Sequence, residues 1–151
     1  TLDNGATLLL MPRHDVPLVA ASVAVRGGAL ADPAGKEGTA DLLGEMLSKG
    51  AGNRDALQFA QTVDGAGGNI GFGSSREAIV ANAQFLSKDS GLMLSLLADA
   101  LLRPKMEAAE FDKLRKRVEY DLYYIENWSL WLDIKVMVMT ALTVLRDRNA
   151  Y

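Results

Sequence analysis

The chain has 151 residues, no cysteine and a single histidine, and its 16 basic and 19 acidic residues give a net charge of -3. The absence of cysteine excludes disulfide scaffolds, thiol catalysis and cysteine-based zinc sites, and one histidine cannot supply the imidazoles that most catalytic zinc sites use. The acidic balance argues against a nucleic-acid partner, because binding to a phosphate backbone needs a basic surface. With 49% hydrophobic and 23% charged residues, the composition predicts an ordinary globular protein.

Neither a targeting segment nor a transmembrane helix is expected from the sequence. The chain opens at Thr1 without a basic and then apolar leader, which is typical of an excised or processed piece. The longest apolar stretch, 128–145, is interrupted by Asp133 and Lys135, so its uninterrupted part is too short to span a bilayer.

The first third of the chain predicts strands followed by helices. Thr7–Met11 and Leu18–Arg26 are apolar runs separated by a proline-containing break, which predicts a β-hairpin. Ala40–Lys49 has apolar residues on one helical face and ends at Gly50, so we expect a short helix there. A second helix is predicted to begin at a cap on Asn53.

The same order of elements then repeats. Asn69–Ser75 and Ala78–Leu86 predict a second hairpin, Leu92–Leu102 predicts an apolar helix that stops before Pro104, and Glu107–Asp121 begins the last helix. Two strands, two helices, two strands and two helices predict an α+β fold in which a mostly antiparallel sheet packs against helices in two layers.

The last thirty residues differ in composition from the rest. All 14 glycines lie at or before Gly91, whereas both tryptophans and all four tyrosines lie at or after Tyr120. A long buried helix, a linker, an interface segment or an altered end would each produce this change. The aromatic residues recur at roughly helical spacing, which is typical of a core or of a partner surface: Tyr120, Tyr123, Tyr124, Trp128 and Trp131.

Two carboxylates share one face of the first predicted helix. Asp41 and Glu45 are four residues apart, the spacing at which two side chains can hold one metal ion. A solvated acidic edge of an amphipathic helix has the same spacing, so both interpretations remain open. His14 lies between Arg13 and Asp15 in a turn, and we expect it to be solvated.

Several segments resemble, in order, the N-terminal half-domain of the pitrilysin/insulinase family of zinc peptidases, which includes the mitochondrial processing peptidases. The resemblance covers residues 1–121 and implies a two-layer half-domain that pairs with a similar half around a peptide-enclosing chamber. Residues 122–151 are then a divergent helical tail or the remainder of the same domain. The segments are Leu2-Asp3-Asn4-Gly5, 19–28, Asp32-Pro33, 36–50, 69–77 and the helix 89–104.

The resemblance also implies a lost catalytic motif. Active relatives carry an inverted His-x-x-Glu-His motif on this helix, in which two histidines bind zinc and the glutamate activates water. Those positions fall on Asp41, Gly44 and Glu45, so no catalytic residue is expected. The family's third ligand, a glutamate on the later long helix, corresponds to Glu119 or Asp121. Asp41, Glu45 and Asp121 could hold a hard cation, but no cofactor is expected in this chain, and zinc would belong to an active partner subunit.

In the same family, the strand matching 68–75 is a sheet edge to which substrate peptide adds as a further strand. An exposed edge offers unpaired N–H and C=O groups, and Gly71 and Gly73 would let a second backbone approach. A bulged or twisted edge that prevents aggregation is the alternative. The expected peptide-binding positions are Asn69, Ile70, Gly71, Phe72, Gly73 and Ser74.

These features predict a non-catalytic partner module of an insulinase-like metallopeptidase. It would form a heterodimer with an active peptidase subunit, or pair with a second half-domain, and hold extended peptide in the chamber. Two alternatives are an active metal-dependent endopeptidase with carboxylate ligands, and a peptide-binding or assembly module without a peptidase partner. Bacterial relatives of this kind are often periplasmic, which favours that compartment.

Overall fold

The computed structural model describes residues 1–146. The chain forms two compact units, Thr1–Glu107 and a second unit that begins at Ala108. In chain order the elements are β1 (Leu18–Arg26), α1 (Thr39–Met46), β2 (Gly50–Ala51), β3 (Arg54–Asp55), α2 (Ala56–Gly65), β4 (Asn69–Ser74), β5 (Ala78–Leu86), α3 (Ser90–Leu102), α4 (Ala108–Glu126) and α5 (Leu130–Arg146). No helix in this part of the chain is long and apolar enough to cross a membrane.

The first unit is built on a three-stranded antiparallel sheet in the order β1-β5-β4. The long strand β5 is central and pairs with β1 from Leu18↔Leu86 to Arg26↔Ala78, and with β4 from Asn69↔Gln84. The strands β2 and β3 form a separate two-stranded ribbon. The predicted α+β architecture of an antiparallel sheet packed against helices is confirmed.

The core lies between one face of this sheet and the helices α2 and α3. Alternate residues of β5 are buried, and its Phe85 packs with Phe59 of α2 and with Met93 and Leu96 of α3. The intervening residues Asn82 and Gln84 are exposed on the other face. This alternation is what a strand with one buried face requires, because successive side chains point to opposite sides.

A buried carboxylate connects the small ribbon to α3. Asp99 is 6% exposed, lies 3.2 Å from the guanidinium of Arg54 in β3, and pairs with Arg103, the residue that directly follows α3. Gly52 has a φ of +58°, and a Cβ at this position would lie 2.9 Å from an oxygen of the Asp99 carboxylate. The ion pairs therefore hold the ribbon close to α3. Beside the Asp99 carboxylate, the left-handed backbone at position 52 leaves room only for glycine.

The predicted first hairpin is wrong. Thr7–Met11 forms no strand, and its apolar side chains are exposed, whereas β1 pairs along its whole length with the distant strand β5. The physical reason is that β5 offers β1 a nine-residue register with a shared buried face, which outweighs the short local turn. The second predicted hairpin is confirmed as β4 and β5.

The start of α2 also differs from the prediction. Asp55, not Asn53, is the cap, because its carboxylate accepts the Gln58 N–H at 2.8 Å while the Gln58 side chain accepts the Asp55 N–H at 3.0 Å. This reciprocal capping box satisfies two N–H groups at once. Asn53 lies in the turn between β2 and β3.

Candidate functional site

The helix α1 carries the positions of the predicted degenerate motif, and Asp32 fixes where that helix begins. The Asp32 carboxylate accepts the N–H groups of Gly38 at 2.8 Å and of Ala40 at 2.9 Å. Gly38 has a φ of +90°, a left-handed conformation that glycine adopts without strain. Sequence reasoning identified Asp32 only as part of a turn, since its role depends on a contact six to eight residues away.

The helix α1 packs directly against the end of β4. Asp41 accepts a hydrogen bond from the Ser74 hydroxyl. Gly44 is buried, and a Cβ at this position would lie 2.9 Å from the carbonyl carbon of Gly73 and 3.3 Å from the backbone nitrogen of Ser74. The strand backbone therefore occupies the space that a side chain at position 44 would need. A glutamate there would require the helix or the strand to move.

The three carboxylates considered as metal ligands lie in different surroundings. Asp41 and Glu45 are on α1, exposed and half-buried respectively, whereas Asp121 is exposed on α4 in the second unit. Among residues 1–146, no group of three or more histidine, cysteine, aspartate or glutamate side chains is placed to hold a metal ion. His14 is exposed in the segment before β1.

These residues do not fit the zinc site of an active peptidase. The resemblance assigns the two imidazole positions of that chemistry to two carboxylates, and the Asp41 carboxylate already accepts a hydrogen bond from Ser74. The position that the resemblance assigns to the water-activating base is a glycine closed by backbone. No hydrolytic step can be derived from α1.

The strand β4 is an outer strand of the sheet, and the hairpin register shows which of its backbone groups face outward. Ser75 donates its N–H to the Ala78 carbonyl at 2.7 Å, so 75 and 78 are a hydrogen-bonded pair. Such pairs alternate along an antiparallel ladder. Positions 69, 71 and 73 therefore direct their N–H and C=O groups towards β5. Ile70, Phe72 and Ser74 direct theirs towards the free edge.

The pairing of β5 with β1 leads independently to the same assignment of inward and outward backbone groups in β4. Gly27 donates to the Glu77 carbonyl at 3.1 Å, and Ser87 donates to the Pro17 carbonyl at 2.9 Å, so the odd-numbered residues of β5 bond to β1. The even-numbered residues of β5 are left to bond to β4. Which residues of β4 direct their N–H and C=O groups outward could not be predicted from composition, because only the register of the strands reveals it.

The glycines of β4 leave open space beside the strand. A Cβ added at Gly71 or Gly73 would meet no atom within 4 Å, and neither residue has a left-handed φ. No contact within the described part of the chain therefore requires glycine at these positions. Ile70 and Phe72, in contrast, pack against the core and hold the strand in place.

Comparison with known proteins identifies the family. The sequence pattern of the insulinase family, peptidase family M16, matches residues 9–141. The chain belongs to this family. It is 28% identical over 126 residues to the beta subunit of the mitochondrial-processing peptidase of Lentinula edodes, a match that covers 80% of this chain and 27% of that protein. The predicted resemblance is confirmed.

A solved structure has the same fold. The crystal structure of a peptidase M16 inactive domain from Pseudomonas fluorescens superposes with a TM-score of 0.64 at 22% identity, covering 73% of this M16 chain and 27% of that one. A shorter similarity, 51% identity over 45 residues, relates 30% of the chain to 9% of the UDP-glucose:undecaprenyl-phosphate glucose-1-phosphate transferase of Xanthomonas campestris pv. campestris. The chain thus spans about a quarter or less of the length of these proteins.

Proposed function

We propose that this chain is a non-catalytic M16 module that holds extended peptide along β4 for cleavage by an active partner subunit. The observation that carries the proposal is the contact of α1 with β4, where Gly44 lies against the Gly73 backbone. The helix position that supplies the base in active relatives is here a packing contact beside the edge strand. The match to the transferase covers 9% of that enzyme, and we propose no transferase activity.

Peptide binding at this site would be β-strand addition. The outward N–H and C=O groups of Ile70 and Phe72 would pair with an extended peptide, and the open space at Gly71 and Gly73 would let its backbone approach. Binding of this kind uses main-chain hydrogen bonds, so it accepts many sequences. Such tolerance suits a module that presents peptide rather than selects it.

The register provides a matched pair of variants to test this proposal. Ile70→Pro removes one outward N–H and leaves the ladder to β5 intact, whereas Ile70→Ala removes a similar part of the side chain and keeps the N–H. We expect Ile70→Pro to weaken binding of a fluorescein-labelled, Thr- and Val-containing peptide about tenfold, the value of one hydrogen bond of about 1.4 kcal/mol. Ile70→Ala should change the affinity less than about twofold. Fluorescence anisotropy with the full chain measures both.

Two controls complete the test. Gly71→Pro removes an N–H that points towards β5, so it should lower the melting temperature, whereas Ile70→Pro should lower it no further than Ile70→Ala, because both variants lose the same core packing. Equal peptide affinities for Ile70→Pro and Ile70→Ala would contradict binding at β4, and so would unchanged binding when both are compared with the wild type.

The alternative of an active metal-dependent endopeptidase has its own measurement. Titration calorimetry with zinc, manganese and calcium should detect no metal binding that depends on Glu45, so the wild type and Glu45→Ala should give the same result. The purified chain should cleave no peptide. Metal binding lost in that variant would replace our proposal with the alternative. Co-purification tests the partner: recovery with an M16 subunit that carries an intact His-x-x-Glu-His motif supports the proposal, and recovery without any peptidase contradicts it.

A further inference from the structure

The segment 7–11, which lies before β1, is apolar, exposed and unpaired. It belongs to no helix or strand, and its backbone makes no hydrogen bond within the part of the chain that the structure describes. Leu9, Leu10 and Met11 are 88%, 81% and 87% exposed, more than any other large apolar side chain among the described residues. An uncharged apolar run with free N–H and C=O groups is what a sheet edge can accept as a further strand.

The free edge of β4 is an acceptor of matching length. Its outward N–H and C=O groups belong to Ile70, Phe72 and Ser74, which span five residues. The segment 7–11 also has five residues, and none of them is a proline, so each keeps its N–H. Neither stretch carries a charged side chain. No charge therefore has to be buried when the two strands meet.

One antiparallel register gives each residue of the segment a suitable neighbour on β4. On the core side of the sheet, two apolar pairs and one pair of hydroxyl groups meet, and such cross-strand pairs stabilise sheets. On the other side, two leucines lie over two glycines, where an added Cβ would meet no atom within 4 Å. The pairs are Thr7↔Ser74, Leu8↔Gly73, Leu9↔Phe72, Leu10↔Gly71 and Met11↔Ile70. The parallel orientation would instead place Met11 beside Ser74.

The segment cannot reach β4 of its own copy in this register. Pro17 is fixed beside β5, because its carbonyl accepts the Ser87 N–H at 2.9 Å. Met11 would lie level with Ala21 and three strands across from β1. The direct line from Pro17 passes through β5 and β4, and the way around the sheet corner is roughly 28 Å. The chain from Pro17 to Met11 spans at most roughly 20–22 Å, so the donor is a second copy.

We propose that the segment 7–11 of one copy adds to β4 of a second copy as an antiparallel strand. The inference rests on the proposed use of β4 for strand addition, and it identifies a competitor for extended peptide, namely the chain itself. The donor segment and a peptide use the same outward groups of Ile70 and Phe72. A copy that has accepted the segment therefore cannot bind peptide along β4, so self-association blocks the site.

The register provides a matched pair of variants in the donor segment. The N–H of Leu9 points towards β4 and that of Leu10 points away, because hydrogen-bonded pairs alternate along the ladder. Leu9→Pro and Leu10→Pro each lose an exposed leucine, but only Leu9→Pro loses a hydrogen bond to β4. We expect Leu9→Pro to weaken self-association of the full chain about tenfold and Leu10→Pro less than about threefold. Sedimentation velocity without added peptide measures both.

Engineered cysteines test the register directly, since the wild-type chain has none. Positions 8 and 73 would form a non-hydrogen-bonded pair with Cα atoms roughly 4.5 Å apart, within the range of a disulfide. Under mild oxidation, chains with Leu8→Cys and differently tagged chains with Gly73→Cys should form a linked heterodimer. Leu10→Cys is two residues out of register, so its mixture with Gly73→Cys should give at least about fivefold less. The substitution at Gly73 meets open space.

Three results would overturn the proposal. The first is a wild type that stays monomeric up to about 1 mM. The second is an equal effect of Leu9→Pro and Leu10→Pro on self-association. The third is equal cross-linking in the two cysteine mixtures. Because no peptide is present, self-association can fail while labelled peptide still binds β4. Self-association that Leu9→Pro weakens, without any binding of added peptide, would overturn the proposed function alone.

Discussion

The two units of the chain bury their apolar residues to very different degrees. In the first unit, β5 and α3 contribute side chains such as Phe85 and Leu96 that are almost completely removed from water. In the second unit, α5 is more apolar than α4, yet its residues Trp131 and Leu142 remain exposed. Apolar composition alone therefore does not determine burial; a residue is buried only where another element presents a complementary face.

This difference separates two sources of stability. The first unit has a sheet with one covered face, a capping box on α2 and paired buried charges, so its contacts lie within the chain. The second unit has two helices joined by a few contacts, one of which is the Tyr124–Asp133 hydrogen bond. Isolated helices of this length gain most of their stability from packing. We expect the second unit to depend on what covers α5.

The largest expected effect tests this contrast with the same substitution in both units. Leu96→Ala, at a residue that is 0% exposed, should lower the free energy of unfolding by about 3–4 kcal/mol, because it removes buried methyl groups and leaves a cavity. Leu142→Ala, at a residue that is 55% exposed, should change it by less than about 0.5 kcal/mol. Urea denaturation of the chain, followed by circular dichroism, measures both. Similar losses for the two variants would show that α5 is buried in solution.

An intermediate effect is expected at the contact between α1 and β4. Gly44→Ala should destabilise the first unit by about 1–2 kcal/mol, because the new Cβ would meet the Gly73 backbone at 2.9 Å and overpacking outweighs the gain in helix propensity. Gly91→Ala is the matched control in α3, where a Cβ meets nothing within 4 Å; it should stabilise by about 0.5 kcal/mol. Thermal unfolding should therefore shift in opposite directions. Stabilisation by both substitutions would mean that α1 does not press against β4 in solution.

The sequence was sufficient for the elements that local patterns define. The strand-like segment Ala78–Leu86 and the helical periodicity of Ala40–Lys49 predicted β5 and α1. What it could not predict depends on contacts between distant residues. Thr7–Met11 has the composition of a strand, but β1 pairs with β5 and not with this segment.

The same limit applies within the candidate site. The closure of Gly44 by Gly73, the bond from Ser74 to Asp41 and the outward groups of Ile70 all require the register of β4 against β5 and the position of α1. Composition indicated that Gly71 and Gly73 leave space, but it did not indicate which residues of the strand present hydrogen-bonding groups. The peptide-binding role of these residues stays a prediction.

The smallest expected effect concerns Tyr124, which connects α4 to α5. Its hydrogen bond to the Asp133 carboxylate, together with partial desolvation and the negative charge of that group, raises the pKa of Tyr124 above its ordinary value of 10.0. Since the folded-state pKa is the higher one, the bond contributes its full stability below pH 10.0 and loses it as the pH rises through the raised pKa. The difference in phenolate absorbance between the wild type and Tyr124→Phe isolates this titration. Asp133→Asn should return the midpoint towards the ordinary value, and a wild-type midpoint at or below 10.0 would show that α4 and α5 do not make this contact in solution.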